Sequence, residues 1–178
     1  AALCKVSKKK METRLSCPHS LSNKESIVHE YEEEDEFLTH MAISDTYIAI
    51  CCSQRKSINV IDRKTKHSLA VGSGKLQRPY GVLLQQNHIV VGDLDMGCVF
   101  KYKLEEDCEP EWICEGLQSP SGICEDKDGY LYVASNDGKV IYLLSPQGDF
   151  LCLCLVLIYA SFRQITIDIE VSRLVIGC

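Results

Sequence analysis

Cysteine, histidine, lysine and aspartate are the side chains here that could do chemistry, and their spacing decides which kind. Cys17-x-His19 is a close pair of the type zinc sites use, with Cys4 and His29 elsewhere in the same segment. A structural zinc centre takes four ligands, commonly in paired spacings, and no second pair follows, so no metal site is expected. Cys152-x-Cys154 places two thiols on one face of an extended strand, where buried packing is the expectation. Gly72-Ser73-Gly74-Lys75 has the glycines and lysine of a phosphate loop. That loop needs G-x-x-x-x-G-K-[ST] before a helix, whereas Leu76 follows the lysine here, so the segment reads as a turn. Asp93 and Asp95 share one short turn, from which a carboxylate could hold calcium or move a proton. His40, His67 and His88 stand at unrelated points along the chain and supply no partner. No catalytic residue and no cofactor is expected.

Bulk composition narrows the classes further. The net charge of −6 is local: Glu30 to Glu36 holds six acids and no base, and 25 − 6 = 19 acids remain against 19 Lys and Arg. A neutral body lacks the basic surface that phosphate binding usually needs. The eleven cysteines are odd in number, and several alternate with apolar residues, as reduced core thiols do. Reduced thiols point to the cytoplasm. Cys51-Cys52 are too close for an unstrained bridge and belong on opposite faces of one strand. The longest apolar run, Phe150 to Ala160, covers eleven residues, short of the roughly 20 a membrane helix needs. It reads as strand, with no membrane partner expected. A chain that starts at Ala1 without Met reads as a piece of a longer one.

The elements that position these groups come from an internal period. Leu76 to Tyr102 aligns with Leu117 to Leu143: Leu-Gln-x-Pro-x-Gly, an apolar stretch, a turn, a second stretch, a turn, a third. Pro79 maps to Pro120 and Gly81 to Gly122, each 41 residues on. Ile58, Val99 and Val140 keep that step, as do Val71, Trp112 and Leu153; Ile50 and Val91 keep it too, with Val133 following at 42. Each unit holds four short strand-like runs. In the third they are Ser121 to Glu125, Tyr130 to Ala134, Val140 to Leu144 and Phe150 to Leu155, divided by Asp128-Gly129, Asn136 to Gly138 and Pro146 to Gly148. Gly and Asn accept the positive φ of tight turns. Repeated four-stranded units of this length are the pattern of propeller blades, which cover each other's apolar faces. Ile58-x-Val60, Leu131-x-Val133 and Val140-x-Tyr142 are the expected core. The Pro-x-Gly step suits entry into the innermost strand, where backbones crowd.

Pro120-Ser121-Gly122-Ile123, Asp128-Gly129-Tyr130-Leu131-Tyr132-Val133-Ala134, Lys139 to Tyr142 and Gly148-Asp149-Phe150 together resemble an NHL repeat. The unit at Pro79 matches less fully, and the first has His40-Met41-Ala42-Ile43 where Pro-x-Gly would stand. Trp-Asp repeat propellers share the length, but no Trp-Asp pair ends any strand here. The expected fold is all-β: an incomplete propeller of about three and a half four-stranded blades, in a family whose rings close with six. Residues 1–35 read as a charged linker. The blades fall at about 36–75, 76–116 and 117–156, with a partial one over 157–178 in which Ser161-Phe162-Arg163 departs from the pattern.

The resemblance implies a non-catalytic macromolecule-binding module, the carboxy-terminal part of a tripartite-motif-like ubiquitin ligase or adaptor. The chain carries no RING or B-box zinc pattern of its own. Propellers bind through loops that rigid strands present. The expected loop-face residues are Arg55, Lys56, Arg78, Tyr80, Asp93, Asp95 and Asn136. A protein partner is the first expectation and self-association through unclosed edges a further one. RNA is the alternative partner, with Arg55, Lys56 and Arg78 on phosphates and Tyr80 stacking a base. The alternative from another class is a lactonase-like or lyase-like propeller enzyme.

Overall fold

A computed structural model describes residues 38–105, 108–137, 140–156, 164–168 and 173–177, with side chains placed as far as 154. Cys4, Cys17, His19, His29, the acidic run and Ser161 to Arg163 lie outside these residues. The first blade is β1 (Leu38–Ile43), β2 (Tyr47–Cys52), β3 (Ser57–Asp62) and β4 (Ser68–Val71). The second is β5 (Pro79–Leu84), β6 (His88–Asp93), β7 (Cys98–Lys103) and β8 (Trp112–Cys114). The third is β9 (Pro120–Glu125), β10 (Leu131–Ser135), β11 (Val140–Leu144) and β12 (Phe150–Val156). Each is a four-stranded sheet in sequence order with every neighbouring pair antiparallel. A two-stranded sheet follows, β13 (Gln164–Asp168) with β14 (Arg173–Gly177). No helix occurs among the described residues.

The first strands β1, β5, β9 and β13 lie successively side by side, so the blades stack face to face from their inner edges. Antiparallel strands in water usually bury one face. Here Ile89-Val90-Val91 is apolar without alternation because both faces are covered: Ile89 and Val91 pack with Ile58, Val60 and Val71 of the first blade. Val90 packs on the other side with Leu131, Val133 and Tyr142 of the third. Ile58, Val60, Leu131 and Val133 are buried, as expected, and Val140 is half-buried at the margin of the second core.

Strand pairing corrects two of the periodic columns. Ile58 pairs with Cys51, Val99 with Gly92 and Ile141 with Ala134, so the third blade's counterpart of Ile58 is Ile141, not Val140. Val71 pairs with Ile58, Cys114 with Val99 and Leu155 with Ile141, so Val71, Cys114 and Leu155 are equivalent, not Val71, Trp112 and Leu153. The outer strands lose the step because the β3–β4, β7–β8 and β11–β12 connections differ in length and β12 is bulged.

Trp112 takes a different role. Its indole lies against Gly148 in the β11–β12 turn, where an added Cβ would come within 2.4 Å of the ring. Gly148 also has φ +87, which disfavours any side chain. The sole tryptophan thus ties the outer strand of one blade to a turn of the next, and its Nε1 is buried without a partner. Trp112→Phe is expected to stay within about 1 kcal/mol of wild type, since it deletes an unsatisfied donor, whereas Trp112→Ala should cost roughly 2 kcal/mol of packing. Urea unfolding followed by circular dichroism distinguishes them, and equal losses would count against the clamp.

Candidate binding face

The β2–β3, β6–β7 and β10–β11 turns share one face with the connections between blades, and hydrogen bonds latch each turn to a connection. In the second blade the Leu94 N–H donates to the Arg78 carbonyl at 3.0 Å. At the corresponding place in the third, the Asn136 N–H donates to the Ser119 carbonyl at 2.9 Å. The Leu117 N–H meets the Gly97 carbonyl at 2.9 Å. Side chains repeat the device with different chemistry: Arg78 pairs with Asp95 at 3.4 Å, and the Ser119 hydroxyl donates to Asp137. In the first blade the Ser53 hydroxyl donates to the Pro79 carbonyl at 3.1 Å, and Lys56 Nζ donates to Gln77 Oε1 at 3.0 Å.

Asp93 corrects the expectation of a surface carboxylate. It is fully buried, and it accepts the backbone N–H groups of Gln77, Arg78, Asp95 and Met96 at 2.7 to 3.1 Å. Two of these amides belong to the blade connection and two to the β6–β7 turn. Asp93 therefore joins the two loops from behind and does not reach the surface. Its counterpart in the third blade is Ser135, each opposite the proline that opens the inner strand.

The remaining expected residues separate into two groups. Arg55, Lys56, Arg78 and Asp95 are exposed, and Asn136 is half-buried beside Asp137. Lys56 reaches across the blade boundary to Gln77, which accepts from it, and Arg78 follows Gln77 in the same connection. The exposed Arg78–Asp95 pair contributes little to stability. Tyr80 stands apart from the loops: it sits half-buried on β5 with its ring 5.3 Å from that of His40 at a tilt of 58°.

His40, set aside from the sequence as standing at an unrelated point, has a defined place in the repeat. Leu38 pairs with Cys52 as Pro79 pairs with Asp93, so His40 occupies the place of Gly81 and Gly122 on the inner strand. The signal was in the numbers: 40, 81 and 122 are one step apart. Its Nδ1 is buried with no partner, and burial lowers its pKa.

The Gly72–Lys75 segment is a blade-connecting turn, with φ +72 at Gly72 and +74 at Gly74. Lys75 Nζ is taken up by Glu109 at 2.7 Å and the Cys108 carbonyl at 3.3 Å. The thiols of Cys51, Cys98, Cys114 and Cys124 are buried. Burial pushes that of Cys124 up to about 12. Cys152 and Cys154 are exposed, contrary to the buried packing expected of them, because β12 is the outermost strand of its blade. Among the described residues no three His, Cys, Asp or Glu side chains gather as metal ligands. No helix among them is long and apolar enough to cross a membrane.

Successive four-stranded sheets with loops presented on one face define the class: the chain has a β-propeller fold, all-β among the described residues, with three four-stranded blades and a two-stranded sheet. No protein-family model matches the sequence, and no curated protein does. Among solved structures the chain is similar to a streptogramin B lyase, with TM-score 0.67 and 14% identity over 83% of this chain and 50% of that one. It is also similar to the virginiamycin B lyase from Staphylococcus aureus, with TM-score 0.67 and 18% identity over 86% and 54%. The computationally designed Ika4 protein matches with TM-score 0.63 and 16% identity over 82% and 93%. The chain spans about half the length of the two lyases. At these identities the likeness establishes the fold and transfers no residue.

Proposed function

We propose that this propeller is a non-catalytic protein-binding module, the substrate-recognising part of a tripartite-motif-like ubiquitin ligase or adaptor in the cytoplasm. One observation supports the binding reading above the others. The exposed Arg55, Lys56, Arg78 and Asp95 project from turns that are latched at several points to the neighbouring connections. Rigid loops lose little entropy when a partner docks, which favours affinity. The lyase likeness rests on the fold alone and supplies no reacting group.

The test is site-specific photo-crosslinking of the full chain in cells, with the crosslinker at Gln54 or Gln118 on this face and at Lys64 or Lys127 on the opposite one. Partners captured from Gln54 and Gln118 only are the expected result. Arg55→Ala, Lys56→Ala and Arg78→Ala combined should weaken the captured complex about tenfold or more with an unchanged melting temperature. A ribonuclease-sensitive capture with affinity falling steeply with salt would replace the protein partner by RNA. Equal capture from both faces would end the loop-face reading.

A further inference from the structure

We propose that Cys152 and Cys154 form a redox-active dithiol that closes to an intrachain disulfide by exchange with a low-molecular-weight disulfide. Residues two apart on a strand share a face, but their Cα atoms are then about 6.5 to 7 Å apart, at the limit of what a disulfide spans. β12 removes that obstacle. Leu153 pairs with Tyr142 and Leu155 with the next residue back, Ile141, so Cys154 is the extra residue of a β-bulge. A bulge bends the strand and re-aims the side chain it carries. Cys152 lies close enough to Cys154 to act on its ionisation. Both are exposed, whereas Cys51, Cys98, Cys114 and Cys124 are buried and the half-buried Cys108 donates its thiol to the Lys103 carbonyl. Exposed neighbouring thiols on the outermost strand of the blade are open to oxidation in a way the core thiols are not.

The exchange balances in two steps. One protein thiol gives up its proton, and its thiolate attacks a sulfur of the small disulfide. That S–S bond breaks, a protein–small-molecule disulfide forms, and the first small thiolate leaves and takes up the proton. The second protein thiol, deprotonated in turn, attacks the protein sulfur of this mixed disulfide and expels the second small thiolate, which is protonated. Two protein thiols are oxidised to one disulfide, and one small disulfide is reduced to two thiols. Residual desolvation at the exposed Cys154 and the neighbouring Cys152 sulfur both raise its pKa, so its thiolate fraction, and with it the exchange, keeps growing as pH rises.

Trypsin would release residues 140–163 as one peptide, in which these are the only two cysteines. After the full chain is incubated with oxidised glutathione and quenched in acid, that peptide from wild type should be two hydrogens lighter and free of glutathione. The same peptide from Cys152→Ser or Cys154→Ser should retain one glutathione, because the resolving thiol is gone. Glutathione persisting on the wild-type peptide to the same extent as on the single variants would overturn the proposal. So would a wild-type peptide whose two thiols remain fully alkylatable after the incubation.

Discussion

Gly81→Ala should be the most damaging single-methyl addition in this protein, lowering stability by about 4 kcal/mol or more. A Cβ at this place would lie 1.6 Å from the carbonyl oxygen of Ser121 and 2.7 Å from its carbon. Inserting a methylene into a packed core costs typically 1 to 3 kcal/mol because side chains can shift. Here the obstacle is the backbone of β9, which is fixed by its ladder to β10, so the blades themselves must separate. For a chain of this size the melting temperature should fall by roughly 8 to 16 °C, read by calorimetry or circular dichroism. A fall below about 3 °C would mean that blades two and three do not meet through their inner strands. The first blade contains its own control. His40 stands at the same place and carries a full ring, which meets the Tyr80 ring, so that boundary accommodates a side chain where the next one has only a glycine.

Asp93→Ala should cost about 3 kcal/mol, the second largest effect. The carboxylate is buried and accepts four backbone N–H groups, two from each of two loops. Removing it leaves those donors without their acceptor in a site with no exposed surface, and hydrogen bonds to a charged acceptor contribute roughly 1.5 to 3 kcal/mol each before compensation by entering water. Asp93→Asn keeps the shape but turns one acceptor into a donor that faces other donors, so it should recover little. Native-state hydrogen exchange localises the effect: amides of residues 77, 78, 95 and 96 should lose protection first in both variants. If Asn and Ala both stay within 0.5 kcal/mol of wild type by urea unfolding, the clasp has no energetic role. Because Arg78 and Asp95 stand on the loops that Asp93 joins, partner binding should weaken with the stability loss even though Asp93 touches no partner.

These outcomes also mark how far the residues could be read without coordinates. The 41-residue step, the four strands per unit and the turn glycines are short-range patterns, and each corresponds to an observed strand or hairpin. Pro79-x-Gly81 could be assigned to a crowded inner strand because glycine is the residue that tolerates backbone approach. The outer strands were out of reach. Their register follows from hairpin length and from one bulge, neither of which alters composition. Asp93 and Asp95 are the same residue type two positions apart in one turn, yet one is wholly buried and the other exposed. Alternation along a strand puts them on one side, and only the path of the preceding connection decides which of them is covered.

The residues by themselves determined that this chain forms repeated antiparallel sheets with apolar material on both faces, because side-chain alternation and turn chemistry act within a few residues. The tertiary structure alone decided which groups are available to a partner or an oxidant. Loops from consecutive blades close over Asp93 and leave Arg55, Lys56 and Arg78 outside, and the outermost place of β12 exposes two thiols that its apolar sequence would bury. Burial is a property of neighbours distant along the chain, and stacking order and strand position set it.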